Sequence, residues 1–188
     1  MINEALLFLL DMLLQPFAAI LLARFHLQWL RAPMRNPIGE FIMALTDFLV
    51  LRTRRFIPAA RGLDNASLLL ALLVEMFYLL GLLWVQGYPF HEFPLLGLLL
   101  LALVKLLKTS LYLLIGAVLV QAILSWISQY SQVSTLLNAV TARFLLPLQR
   151  VVPLLGNVDL SPMLLIILCQ LIVIVPIGAL EHIANGIL

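Results

Sequence analysis

The chain holds a single cysteine in 188 residues. Cys169 lies in an apolar run, so an intrachain disulfide is impossible and CxxC redox or metal motifs are excluded. Charge is scarce as well. Asp, Glu, Lys and Arg make up 11% of the residues and hydrophobic types 64%, where soluble domains carry about 25% charged and about 45–50% apolar residues. A soluble fold of this length has too little interior to hide so much Leu and Ile, so the bilayer is the solvent that resolves the imbalance. No long stretch lacks an apolar run, so no separate soluble domain is expected. There is no GxxxG helix-packing motif, Gly-rich phosphate loop, HExxH zinc motif or GxSxG nucleophile elbow. His26, His91 and His182 are scattered at or beyond the expected span ends, which argues against a haem or metal set. No catalytic group, cofactor or metal is expected, and nothing beyond the arginines speaks for nucleic acid. No Lys or Arg precedes the first apolar run, unlike a signal peptide, so the first segment is expected to be retained as a helix.

What is present is four apolar segments of spanning length, at about 5–29, 66–85, 109–127 and 161–180. A helix needs about 20 apolar residues to cross the hydrocarbon. As one helix, 95–127 would be about 50 Å long, too long for one crossing without tilt or protrusion. It also contains Lys105 and Lys108. Residues 95–108 are therefore expected as an interfacial or partly inserted lead-in to the span, with a single long, bent helix as the alternative. Arg31, Arg35, Arg52, Arg54, Arg55 and Arg61 lie between the first two segments, and Arg143 and Arg150 between the last two. The connection 86–94 has no Lys or Arg. The positive-inside rule puts both arginine-bearing loops in the cytoplasm and both termini outside. Trp29, Trp84, Tyr88 and Trp126 stand at segment ends, where aromatic belts form.

The two halves repeat each other. Thr46, Arg55, Pro58 and Asp64 correspond to Thr141, Arg150, Pro153 and Asp159 at an offset of 95 residues, and for the preceding segment the offset is 97. Before each shared arginine runs an apolar stripe at helical spacing: Ile38, Phe41, Ile42, Leu45 and Leu49, then Val133, Leu136, Leu137, Val140 and Phe144. Such short stripes suit helices lying in the headgroup plane, or packed on the protein itself. Each unit then reads span, in-plane helix, basic turn, span, over 1–92 and 93–188. An even number of crossings per unit points both copies the same way, related by a pseudo-two-fold axis along the membrane normal. The fold class is all-α membrane protein, four spans in two tandem parallel repeats.

The turn after each in-plane helix resembles the signature of the YggT family of bacterial membrane proteins in its two-repeat form, related to plastid YlmG-type proteins. That signature reads approximately Pro-Leu-Arg-Arg, two residues, Pro, then Gly and Asp. Copy two reads Leu-Pro-Leu-Gln-Arg-Val-Val-Pro-Leu-Leu-Gly-Asn-Val-Asp from Leu146 to Asp159. Copy one departs from it, with Leu51 and Arg52 near the place of the first proline and a shifted Gly62, yet it keeps Arg55, Pro58 and Asp64. The resemblance covers essentially the whole chain. It implies a bacterial inner-membrane protein linked to tolerance of osmotic stress. Plastid relatives are similar to factors that mature a haem-bearing cytochrome complex and to proteins that influence division and nucleoid placement.

Two sets of residues are candidates for function. Arg55, Pro58 and Asp64, with Arg150, Pro153 and Asp159, serve either as topological anchors and helix caps or as a bipartite docking surface. Another membrane protein or anionic lipid would dock there, and a homo-oligomer is also open. The second set is intramembrane: Asp11, Glu75, Lys105, Lys108 and Gln170. Asp11 and Lys108 are equivalent under the 97 offset and are expected to pair, and Gln170 is expected to face Glu75. The functional expectation is a non-catalytic scaffold, assembly or stress-tolerance factor. The alternative is a small ion transporter or channel subunit that uses the intramembrane charges.

The topology is testable. With Cys169 replaced, a cysteine at His91 should react with an impermeant thiol reagent from outside only. Labelling from the cytoplasmic side alone would invert the assignment.

Overall fold

A computed structural model describes residues 2–57, 62–88, 94–127, 131–151 and 159–187. Among them every regular element is helical: α1 Ile2–Trp29, α2 Pro37–Thr53, α3 Asn65–Val85, α4 Leu95–Ile127, α5 Gln132–Val151, α6 Ser161–Ile172 and α7 Gly178–Ile187. A π-helical turn, Val173–Ile177, joins α6 to α7 without a break. Pro176 accounts for it. Proline lacks an N–H and crowds the carbonyl four residues back, and a wider turn relieves that conflict. The Gly178 N–H accordingly reaches Val173 O, five residues back. Four stretches are long and apolar enough to cross a membrane: Ile2–Trp29, Asn65–Val85, Leu95–Ser125 and Ser161–Ile187. Together they define a multi-pass membrane protein.

α4 corrects the lead-in expectation. It is continuous through Lys105 and Lys108. Its first half is packed in the bundle, since Leu98, Leu101 and Ala102 are buried with Tyr78 and Leu79 of α3 and Ala184 of α7. The two lysines do not break it because each is half-buried with a partner close by. The fourth span is likewise longer than 161–180.

The repeat is visible in the packing. In copy one, Leu21 of α1, Val50 of α2 and Leu70 of α3 share a core. Their counterparts Val118 of α4, Leu145 of α5 and Leu165 of α6 share another. Cys169 is buried in that second core and is a packing residue between helices.

Local signals start α2. Asn36 caps it by accepting from the Gly39 N–H at 3.0 Å, and Pro37 opens its first turn, where its missing donor costs nothing. Gly39 lies against the Met34 backbone so closely that a Cβ would stand 2.2 Å from Met34 O. α2 has three sides. Gly39, Ile42, Thr46 and Val50 are buried. Phe41, Leu45 and Phe48 are exposed apolar residues, and Glu40 and Asp47 lie on the third side. The predicted stripe is thus split, with Ile42 turned to the protein while Phe41 and Leu45 face outward, as suits contact with lipid. In α5 the stripe residues Leu136 and Leu137 both turn inward. Leu136 meets Leu27, Ala32 and Ile42 of copy one, so the two copies interlock.

The expected Asp11–Lys108 pair does not form. The Tyr78 hydroxyl donates to Asp11 Oδ1 at 2.6 Å. Lys108 donates to both Glu181 oxygens, at 2.9 and 2.8 Å, tying α4 to α7. The 97 offset relates positions on equivalent helices, and equivalence under a two-fold axis does not bring side chains together unless they lie near that axis. A double-mutant cycle on Lys108→Met and Glu181→Gln should show a coupling of about 0.5–3 kcal/mol in thermal or chemical unfolding. The cycle on Asp11→Asn and Lys108→Met should be additive.

Candidate functional site

The polar side chains collect into three assemblies, two of them copies of each other. The first joins the arginine-bearing ends of α1, α2 and α3. Arg24, on α1, is only 3% exposed. Its Nη1 donates to Thr46 Oγ1 at 2.6 Å and to Asp47 Oδ1 at 2.7 Å, and its Nε lies 3.4 Å from Asp64 Oδ2. Arg54, just past α2, donates from Nη2 to Asp64 Oδ2 at 2.8 Å and from Nε to Oδ1 at 3.2 Å. The Ser67 hydroxyl donates to Asp64 at 2.5 Å. Asp64 is fully buried, and such a carboxylate is tolerable only when paired and hydrogen-bonded. Here two guanidiniums and a hydroxyl surround it. Burial opposes its ionisation, but the Arg54 and Ser67 hydrogen bonds and the field of the arginines outweigh burial and hold its carboxyl below the ordinary value. Arg54 is correspondingly raised, chiefly by its hydrogen bond to Asp64.

The second assembly is the counterpart in copy two. Thr141 hydrogen-bonds Gln121 of α4, as Thr46 does Arg24 of α1. Both threonine hydroxyls also reach the carbonyl four residues back, Ile42 O and Leu137 O. Gln149 donates to Asp159 Oδ2 at 2.8 Å, as Arg54 does to Asp64. Copy two therefore has the same clasp with both arginines replaced by glutamines. Asp159 is half-buried and accepts the Ser161 N–H at 2.9 Å; the Arg24–Asp64 approach has no counterpart from Gln121, and the place of Ser67 is taken by Pro162. Burial raises its carboxyl, but the Ser161 and Gln149 hydrogen bonds prevail and lower it. Asp159 thus accepts a backbone N–H at the start of α6 from outside the cap position, which Leu160 holds. Asp64 holds the cap position of α3, but its carboxylate receives side-chain donors and makes no cap bond to the α3 backbone.

Recurrence singles out the two aspartates but does not tell which side chains meet them. The partners are Arg54 and Gln149, each one residue before the shared arginine, and Arg55 and Arg150 are exposed. Pro58 and Pro153 lie outside the described residues, as does His91. Arg24 is buried in the clasp. The signal that could have found the clasp was the repeat itself. Arg24 and Gln121 are equivalent at offset 97, Arg54 and Gln149 at offset 95, and each faces a residue already matched between the copies.

The third assembly is intramembrane and lies on α1, α3 and α4. Glu75, 1% exposed, accepts from Gln15 Nε2 at 3.2 and 3.4 Å. Lys105 Nζ stands 5.0 Å from the Tyr78 ring centre, and Tyr78 holds Asp11. Asp11, Glu75 and Lys105 are thus brought together. Lys108 is directed to Glu181, and Gln170 takes no part, the partner expected of it being supplied by Gln15. The described residues contain no group of three or more His, Cys, Asp or Glu side chains placed to hold a metal ion.

Four apolar helices in two matching units, each clasped between its first helix, its short helix and its turn, define a class of tandem-repeat membrane proteins. A profile described as CCB3/YggT matches residues 3–85 and 100–180, one match per copy. The chain is 32% identical over 179 residues to a protein of Escherichia coli strain K12 named "Uncharacterized protein YggT", covering 90% of this chain and 87% of that one. It is also 32% identical over 173 residues to an uncharacterized protein of Pseudomonas aeruginosa, covering 91% and 87%. A Vibrio alginolyticus relative is 30% identical over 161 residues, covering 85% and 86%. No solved structure matches. The chain belongs to the CCB3/YggT family.

The two clasps should respond differently to neutralisation. Asp64→Asn leaves two arginines against an amide and should cost about 3 kcal/mol or more. Asp159→Asn weakens contacts to a neutral amide and one N–H, and should cost about 1–1.5 kcal/mol. The pH dependence follows from the lowered Asp64 carboxyl. Its contribution is complete above the ordinary value of 3.8 and is lost as pH falls through the lower folded value. Unfolding followed across the acid range should therefore show a smaller loss of stability in Asp64→Asn than in the parent.

Proposed function

We propose that this protein is a non-catalytic scaffold of the bacterial inner membrane that docks another membrane protein through its paired arginine turns. The observation that carries the reading is that each clasp restrains the residue just before an exposed arginine. Arg54 is held by Asp64 and Gln149 by Asp159, so Arg55 and Arg150 are presented from anchored backbone at equivalent places in the two copies. Neither has an acidic partner among the described residues. Arg31, Arg35, Arg52 and Arg143 are also exposed, and the positive-inside rule places this end in the cytoplasm. Internal neutralisation sharpens the surface. Arg24 and Arg54 are balanced by Asp47 and Asp64, so the positive charge offered to a partner comes from the other arginines. A planar guanidinium suits bidentate recognition of a partner's carboxylate, which an ammonium does not reproduce. The family resemblance supplies the physiological setting, tolerance of osmotic stress.

A second reading rests on the buried Glu75. A carboxylate at bilayer depth is a functional candidate by default, and Gln15, Tyr78, Asp11 and Lys105 extend polar contacts from it. On this reading the protein is a small ion transporter or channel subunit.

One set of experiments separates the two. Under docking, Arg55→Lys combined with Arg150→Lys should accumulate normally yet weaken docking about tenfold or more, the loss of one charge-assisted hydrogen bond. Complementation under high osmolarity should fall with it, and proteoliposomes of the parent should pass no potassium or protons above empty vesicles. Full complementation by the lysine double variant at normal abundance overturns the docking reading. Ion flux abolished by Glu75→Gln establishes the transporter reading.

A further inference from the structure

The seam between the copies carries two adjoining cavities at the arginine-bearing end. The inner one, about 380 Å³, lies among α1, α2, α4 and α5, within the size range of small-ligand sites. Its lining is apolar apart from His26 and Ser110. His26 Nδ1 is bonded to Leu22 O at 2.7 Å and the Ser110 hydroxyl donates to Leu106 O at 2.8 Å. The cavity thus offers an occupant almost no polar partner. The outer cavity, about 520 Å³, is lined by Gln28, Arg31, Gly62, Leu63, Ala139 and Arg143, and shares Trp29 and Leu30 with the inner one. Among the described residues no carboxylate lines it. Arg31 and Arg143 are exposed and neither is in a salt bridge among the described residues. The Arg143 guanidinium lies over the Trp29 ring at 5.7 Å.

We infer that this seam binds one phospholipid with an anionic headgroup from the surrounding leaflet. One of its acyl chains occupies the inner cavity and its phosphate lies against Arg31 and Arg143. The two cavities specify opposite ends of an amphiphile. An apolar slot without free hydrogen-bonding groups accepts hydrocarbon and penalises anything polar. A cationic mouth with no carboxylate accepts a phosphate, and guanidiniums match its oxygens. Trp29, 43% exposed, stands where the two cavities join. Tryptophan prefers that depth in a bilayer, at the boundary of headgroup and chain. Charge complementarity selects the anionic lipid over a zwitterionic one and over an apolar helix of a partner, which would leave both arginines unanswered. The site does not depend on Arg55 or Arg150 of the docking turns, although Arg31 and Arg143 also belong to the positive surface of that end.

The test uses the purified full chain in detergent, titrated with phosphatidylglycerol or with phosphatidylcholine of the same chains and read by native mass spectrometry. The parent should bind one phosphatidylglycerol with a preference of about thirtyfold, which corresponds to about 2 kcal/mol, the expectation for two arginines at an anionic surface. Arg31→Gln with Arg143→Gln, both at exposed positions, should abolish the preference while the number of bound lipids stays near one. Ala117→Phe, which fills the inner cavity from α4, should reduce binding of both lipids. Glycerol phosphate without chains should not bind detectably. Equal binding of the two lipids by the parent overturns the proposal, as does a preference that survives the double substitution. Unchanged binding in a correctly folded Ala117→Phe variant, checked by helical circular dichroism and a monodisperse elution profile, places the lipid elsewhere and also overturns it. Photocrosslinking from position 117 in native membranes to a polypeptide in place of lipid would assign the seam to a protein partner and refute the lipid site.

Discussion

The position of the first short helix, α2, depends on one buried anion. Asp64 has no exposed side-chain surface, and Arg24 from one helix and Arg54 from the end of another converge on it. Apolar contact alone would not orient α2. In lipid, helix association gains little from hydrophobic burial because the surrounding tails are as apolar as Leu. A polar contact that is satisfied in only one arrangement supplies the missing direction. Moving α2 by one turn would separate Thr46 from Arg24, and moving the turn would strand Asp64. A buried ion pair is weak grounds for overall stability, since desolvation offsets much of the attraction, and its better-attested use is to fix register. The clasp fits that use, holding the first helix, the short helix and the entry to α3 in one geometry.

Copy two shows how little of the charge the geometry needs. Gln121 and Gln149 occupy the places of Arg24 and Arg54: Gln121 accepts from the Thr141 hydroxyl and Gln149 donates to Asp159. Asp47 has Ala142 as its counterpart, so the carboxylate that neutralises Arg24 is absent where the arginine is absent. The substitutions are thus consistent with each other: remove the cation, and the second anion goes too. What remains is the set of directional contacts, and it suffices to give equivalent cores around Leu21, Val50 and Leu70 and around Val118, Leu145 and Leu165.

The architecture was readable from the sequence because a bilayer imposes few alternatives. Four apolar segments, two arginine-rich connections and a repeat offset led to four long helices in two matching units. The site was readable only in part. Arg55, Asp64, Arg150 and Asp159 were chosen by their recurrence, but recurrence does not tell which face of a turn looks inward. One residue along a helix end is a rotation of about 100°, enough to exchange Arg54 for Arg55. The pairing of Asp11 with Lys108 failed for a related reason, since an offset reports equivalence and contact needs coordinates. The split of α4 at Lys108 was avoidable. Shifted by 97, α1 from Ile2 to Trp29 corresponds to 99–126, nearly the whole of α4 from Leu95 to Ile127. Composition suggested a break, because two lysines in an apolar run look interfacial. The repeat argued against one, and the partners of those lysines on α3 and α7 explain why the helix continues.

The same doubling that builds the fold leaves a gap in it. Two parallel units set side by side bring their first helices and their short helices together, and α1, α2, α4 and α5 all line the inner cavity. Side chains near such an axis meet their counterparts or near-counterparts, so filling the space requires complementary sizes from both copies at once. On one flank this is achieved, where Leu136 of α5 seats against Leu27, Ala32 and Ile42. The equivalent flank is different: Phe41, the counterpart of Leu136, is 59% exposed. Interlocking is therefore one-sided, and even where Leu136 seats the packing is incomplete, since Leu27, Ile42 and Leu136 themselves line the inner cavity. A soluble protein would lose stability to a void of this kind in proportion to its volume. In a membrane an open apolar void is accessible to chains of the solvent itself, so the cost of leaving it unpacked by protein is reduced. That reasoning makes the seam a tolerable feature of a tandem repeat in lipid, and under the proposal made for it Arg31 and Arg143, which form no salt bridge among the described residues, would favour an anionic one.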